Sequence, residues 1–218
     1  MAFNLDEAVA LLRRAIQTPS ITGNEAGIAN VLYEELEQTG VDEIVKRDFL
    51  PGRPNVWGWR KGAERGPRIL LVGHTDPVHV RGWTERWHGS DRENPFSAAA
   101  VNGELWGRGA ADLKAGLCAA VMALRVLDQA KLPLMGDVLF GFLGDEESGE
   151  PGTGVSAGMK AFAAAIEAKE VPRPDLAIYV EPTELQIYAA QIGFFIAEIT
   201  LTGRSAYFGT PELGIDAL

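Results

Sequence analysis

Four short segments carry side chains that can bind a metal or move a proton. They are Gly73-His74-Thr75-Asp76, Gly109-Ala-Ala-Asp112-Leu-Lys114, Gly144-Asp-Glu146-Glu147 and Glu181-Pro-Thr183. An imidazole beside several carboxylates, with no thiolate, suits a hard or borderline divalent cation such as zinc, manganese or cobalt rather than copper or an iron–sulfur cluster. Three carboxylates in one partly dry pocket repel one another and need cations or protons to offset them. So many acids would hold two ions about 3.5 to 4 Å apart, sharing one carboxylate and activating a common water. A carboxylate beyond the ligand set is then free to act as general base, and Glu146, next to Glu147, is the candidate. On an extended backbone residues i and i+2 share a side, so Asp76 stands where it would orient His74 and fix its tautomer.

These segments need elements that bring them together. Arg68 to Val72 is an apolar run bounded by Gly66-Pro67 and Gly73, and it reads as a strand buried on both faces. Val138 to Leu143 and Leu176 to Val180 repeat that pattern, and each ends in an acidic segment. Helical periodicity over Asp112 to Gln129 and over Val155 to Ala168 supplies the crossovers that make such strands parallel, with their carboxyl ends on one edge. Chemistry in such sheets sits just beyond those ends. Leu5 to Ile16, behind Asn4 as N-cap, and Asn24 to Gln38 read as scaffold helices. Glu43 to Phe49 and Asn55 to Trp59 read as strands around a Pro51-Gly52 turn. The polar and aromatic stretch from Arg81 to Phe96 has no period and reads as an ordered loop beside the site; His79 and His88, in or near it, are read as solvated.

Composition narrows the class. The chain has 218 residues, 46% hydrophobic, with a net charge of −10, so it buries an ordinary core. That charge argues against nucleic acid and anionic membranes as partners, since phosphate binding needs clustered Lys and Arg. The single cysteine, Cys118, lies in an apolar alanine-rich run and reads as a small buried side chain. The first residues are acidic rather than basic, and no apolar run approaches the roughly 18 residues that span a bilayer. A cytoplasmic protein is expected.

Gly73-His74-Thr75-Asp76, Trp106-Gly-Arg-Gly-Ala-Ala-Asp112-Leu-Lys, Gly144-Asp-Glu-Glu-Ser-Gly and Glu181-Pro-Thr, in that order, resemble the dinuclear zinc aminoacylase and carboxypeptidase family. Acetylornithine deacetylase and succinyl-diaminopimelate desuccinylase belong to it. Asn94-Pro95-Phe96 and Arg53-Pro-Asn55-Val56 match as well. The resemblance implies an α/β fold: a three-layer αβα catalytic domain with a mostly parallel sheet, residues 1–187, then the start of an inserted α+β dimerisation domain, residues 188–218. Gln191 to Thr202 would be that insert's first strand and Pro211 to Leu218 the beginning of its first helix. By the same resemblance His74 and Glu181 hold one divalent ion and Glu147 the other, most simply zinc, with cobalt or manganese as alternatives. Asp112 bridges the ions, Asp76 orients His74, and Glu146 is the catalytic acid–base. The implied reaction is hydrolysis of an amide in a small N-acyl amino acid or peptide, by a homodimer in the full-length form.

Two departures stand beside this. Tyr207, in Gly203-Arg-Ser-Ala206-Tyr207, takes the place of a family histidine that stabilises the oxyanion. Relatives also return to the catalytic domain and supply a final metal-binding histidine, whereas the three histidines here all lie upstream of Asp112. The chain therefore reads as the front part of such an enzyme, or as a truncated, inactive relative that binds metal weakly. A further reading, dinucleotide binding at Gly152-Thr-Gly154-Val-Ser-Ala157, suffers from the charged segment between strand and glycines.

Overall fold

The structure, a computed structural model, describes residues 4–147, 153–191, 193, 197 and 199–217. It divides into two units, Met1–Pro182 and Thr183–Leu218.

In the first unit the elements run α1 (Leu5–Ile16), α2 (Ala26–Leu36), β1 (Glu43–Leu50), β2 (Arg53–Arg60), β3 (Ile69–His74), α3 (Trp83–Trp87), β4 (Ala99–Val101), β5 (Glu104–Trp106), α4 (Ala115–Ala130), β6 (Val138–Leu143), α5 (Ala157–Glu167) and β7 (Leu176–Tyr179). The Asn4 side chain accepts a hydrogen bond from the Glu7 amide at 3.2 Å and caps α1 as expected.

The main sheet has the order β1-β2-β6-β3-β7. It is mixed. The strands β6, β3 and β7 are mutually parallel, while β1 and β2 form an antiparallel hairpin whose second strand pairs antiparallel to β6. The parallel part is the part that carries the chemistry. Strand alternation sends Val56, Phe140 and Phe142 to one face, where they pack with Leu11, Ile28, Leu32, Leu117 and Val121 of α1, α2 and α4. Trp57, Leu70, Val72, Leu139 and Leu143 face the other way and meet Phe162 and Ala165 of α5. Two helical layers thus cover one sheet, and the αβα class follows. Cys118 is buried in the first of these cores, as expected.

Register does the positioning. His74 lies beside Leu143, and Val72 beside Tyr179. The residues following these strands therefore emerge on one edge.

Part of the stretch from Arg81 to Phe96 is helical, a single turn at α3. Cation and aromatic contacts order the rest: the Arg92 guanidinium sits 3.7 Å from the Trp106 ring centroid and 4.9 Å from that of Trp87. The β4–β5 hairpin was not expected. Its turn, Asn102-Gly103, has positive φ at both residues, 54° and 83°, the geometry that an Asn-Gly pair tolerates best.

In the second unit the described residues show a bridge between Arg204 and Ile215 and a 3₁₀ turn at Pro211–Leu213. The expected strand over Gln191 to Thr202 falls partly outside the described residues, and its described positions have no strand pairing. Instead of a helix from Pro211, the chain makes that one turn and returns to pair with Arg204.

Candidate metal centre

His74 ends β3 and is almost wholly buried, 2% exposed. Its Nδ1 lies 2.7 Å from the Asp76 backbone carbonyl. A carbonyl only accepts, so Nδ1 carries a proton, and it is Nε2 that faces the site and would offer its lone pair to a cation once its own proton is lost. Nε2 is 2.9 Å from Asp112 Oδ1 and 3.5 Å from Glu181 Oε1. Glu181 follows β7.

Asp112 comes from an irregular turn, Ala110–Lys114, that precedes α4. Its backbone is extended, φ −115° and ψ 92°, its peptide bond to Leu113 is cis, and its side chain caps no helix. The sequence placed Asp112 at the start of the α4 helix. The helix begins only at Ala115, and the turn is pinned from behind by Lys114, whose buried Nζ donates to the Ala15 and Thr18 carbonyls at the end of α1.

Glu146 and Glu147 follow β6. Their amides donate to the Asp76 carboxylate at 3.2 and 3.0 Å, and Thr22 Oγ1 donates to the same carboxylate at 2.9 Å. Asp76 therefore touches His74 through its main chain, while its side chain organises the Glu146–Glu147 turn. The i, i+2 reading assumed extended chain through Asp76, but β3 stops at His74 and the side chain is free to turn.

Among the described residues, ligand atoms of His74, Asp112 and Glu181 lie within 4.8 Å of one another, and so do those of His74, Glu146 and Glu147. Asp112, Glu146, Glu147 and Glu181 thus gather around one imidazole, while the Asp76 carboxylate supports the Glu146–Glu147 turn. Nitrogen and carboxylate oxygen donors without thiolate fit divalent zinc, cobalt or manganese. His79 and His88 take no part: the His88 ring pairs with Glu93 on an exposed loop.

Electrostatics agree with this grouping. Burial opposes charge on His74, but hydrogen bonds to Asp112 and Glu181 and the negative Glu146 and Asp76 lift it to about 11. The bond from His74 holds Asp112 below the usual carboxylate range, against burial. Burial, then the charge of Asp112, pushes Glu147 up to about 7. Burial raises Asp76 to about 6, the Glu146 and Glu147 amides holding it from going higher. A cation must displace the His74 proton at any pH below about 11 and the Glu147 proton below about 7. Metal affinity is thus expected to rise with pH throughout the range from about 5 to 9, more steeply below about 7. Calorimetric titration with zinc in two buffers of different ionisation enthalpy measures this; uptake without proton release contradicts it.

Sequence reasoning missed four residues around the site. Thr22 bridges Asp76 and the Glu147 carbonyl. Arg53 and Asp145 sit behind the Glu146–Glu147 turn. Arg108 stacks on Trp83 at 4.9 Å, close enough to Glu147 and Asp112 to feel both charges. Arg53, Arg108 and Asp145 lay in segments that the resemblance had singled out, without a role; Thr22 did not. Of the dinucleotide segment, Gly152 lies outside the described residues, and the amides of Val155 and Ala157, which a phosphate would need, donate to the Asp145 carboxylate. Tyr207, in the second unit, is exposed and contacts Phe208 with ring centroids 4.5 Å apart and the rings tilted by 50°.

A profile of peptidase family M20/M25/M40 matches residues 70–215. Acetylornithine deacetylase of Proteus mirabilis is 32% identical over all of this chain and 53% of its own length. Succinyl-diaminopimelate desuccinylase of Coxiella burnetii is 30% identical over 96% of this chain and 53% of its own. The chain spans about half the length of the curated relatives it matches. Among solved structures, an M20 family metallo-carboxypeptidase from Sulfolobus solfataricus superposes with a TM-score of 0.63 at 25% identity, over 80% of this chain and 37% of its own. Human carnosine dipeptidase 1 gives 0.66 at 20% identity, over 80% and 38%, which speaks for the fold alone.

Proposed function

Because this chain belongs to peptidase family M20/M25/M40, we propose that it forms the metal-holding part of an amidohydrolase. Its substrate is a small N-acyl amino acid or peptide, and the full-length form is a homodimer. The observation that carries this reading is the convergence of Asp112, Glu146, Glu147 and Glu181 around one buried histidine, Asp112 and Glu181 facing its Nε2. His74 and Glu181 would hold one ion and Glu147 the other, with Asp112 as the carboxylate available to both. Two divalent ions held there would supply Lewis acidity for the amide carbonyl and lower the pKa of a water. Glu146 accepts the proton of the attacking water and returns it to the leaving nitrogen, which separates amine from acid. Its carboxyl is suited to that role, because partial burial, followed by the charges of Glu181 and Asp112, outweighs the opposing His74 and raises its pKa. Asp76 keeps the Nδ1 proton of His74 in place through its carbonyl and holds Glu146 and Glu147 through its carboxylate.

One observation favours a second reading, a relative that holds ions without turnover. Tyr207 stands where the family resemblance places an oxyanion-stabilising histidine, and losing one such donor costs about 10²- to 10³-fold in rate.

The experiment is hydrolysis of a panel of N-acetyl and N-succinyl amino acids and dipeptides by the purified protein. Turnover that vanishes on chelation and returns with zinc is expected. Hydrolysis indifferent to chelators contradicts the proposal, and ions bound with no hydrolysis favours the second reading.

A further inference from the structure

Behind the Glu146–Glu147 turn lies a buried group of three charges that the proposed chemistry does not use. Arg53, at the start of β2, donates from Nε to Glu25 Oε2 at 2.8 Å and from Nη2 to Glu25 Oε1 at 2.5 Å and Asp145 Oδ1 at 2.8 Å. Both carboxylates are fully buried, and the arginine side chain is 12% exposed. The remaining acceptors are filled too: Gly23 N donates to Glu25 Oε1 at 3.0 Å, and Val155 N and Ala157 N donate to Asp145 Oδ2 at 3.2 and 3.1 Å.

Sheet register explains the meeting. Val56 pairs with Phe142 in the antiparallel β2–β6 ladder, and continuing that register brings Arg53 opposite Asp145. Asp145 itself has φ +70°, a left-handed backbone that L side chains keep only where their surroundings hold them. Glycine meets that conformation without strain, so an aspartate there is explained by what its carboxylate holds. Glu25 precedes α2 yet makes no capping bond to it; its carboxylate goes to Arg53. Asn55, two residues along β2, adds a second tie, accepting from Gly144 N at 3.0 Å and donating to the Gly158 carbonyl at 2.8 Å. The next two residues after Asp145 are Glu146 and Glu147.

We infer that Arg53 is a positioning residue: through Glu25 and Asp145 it locks the kinked turn that aims Glu146 and Glu147 into the site. The inference rests on the roles given to those two glutamates above. A merely structural ion group would affect folding and leave the folded enzyme unchanged. A positioning role acts on the second ion and on turnover within the folded fraction.

The test compares the parent full chain with Arg53→Met, Arg53→Lys and Asp145→Asn, reading zinc affinities by chelator competition and steady-state kinetics on protein shown to be folded. For Arg53→Met the account expects the affinity for the Glu147 ion, and kcat, to fall by about 10- to 100-fold, with the His74–Glu181 ion retained and KM little changed. Arg53→Lys should recover part of the loss. If Arg53→Met does not fold, Asp145→Asn, of the same size, decides on the same readouts, because its amide turns a donor or a weaker acceptor toward Arg53. Folded variants with both affinities and kcat within about twofold of the parent overturn the inference. A loss that merely follows the unfolded fraction overturns it equally. A parent that binds no ions and hydrolyses nothing overturns the proposed function first, and the roles of Glu146 and Glu147 with it.

Discussion

Replacing Glu146 by glutamine is expected to lower kcat by about 10²- to 10⁴-fold while both ions stay bound, the range over which a positioned general acid–base contributes. Glutamine keeps the shape and the polar tip of the side chain but cannot take up a proton. The Glu146 backbone amide would still donate to Asp76, so the turn keeps its anchor. The outcome also separates two roles that the geometry places side by side. Glu146 lies in the same ligand-distance group as Glu147 and His74. If Glu146→Gln released an ion, Glu146 would be a ligand; if turnover stayed near the parent level, the acid–base assignment would fall.

Asp112→Asn should have the larger effect on metal. In the proposed arrangement Asp112 is the carboxylate shared by both ions, and an amide would offer one neutral oxygen in place of its negative charge. Loss of a residue that only supports a ligand costs about 10- to 100-fold in affinity. A bridging ligand should exceed that range for at least one ion and abolish measurable turnover. One effect runs the other way: Asp112 accepts the strongest of the bonds that raise His74, so without its charge the imidazole loses its proton more readily. Chelator competition at pH values on both sides of neutrality resolves the two. Affinities within about tenfold of the parent would contradict a bridging role.

Much of this site was legible in the sequence because His74, Glu147 and Glu181, three of the four proposed ligands, end or follow strands with a simple signature. Apolar runs ending in Gly73-His74, in Gly144 and in Glu181 correspond to β3, β6 and β7, and parallel pairing brings their ends together, although β7, read as buried on both faces, is an exposed edge strand. Helical periodicity located α1, α2, α4 and α5 within a few residues. What stayed hidden was set by contacts between distant residues. The extended backbone at Asp112 depends on the anchoring of Lys114 to α1, which periodicity after Ala115 cannot reveal. The turn of Asp76 toward Glu146 and Glu147 depends on where β3 stops. The Arg53–Asp145 contact depends on β2 pairing with β6, which lies far along the chain. The β4–β5 hairpin was hidden for another reason: its strands are three residues each, too short for an alternation to register, and Asn102-Gly103 was its only local signal.

The central claim is that His74, Asp112, Glu147 and Glu181 hold a pair of ions. Its most direct test is a crystal of the full chain grown with zinc and measured across the zinc absorption edge. The account expects two anomalous peaks about 3.5 to 4 Å apart, with Asp112 between them, His74 Nε2 and Glu181 on one, and Glu147 on the other. No peak within bonding distance of Asp112, or zinc only at an exposed residue such as His88, would contradict it.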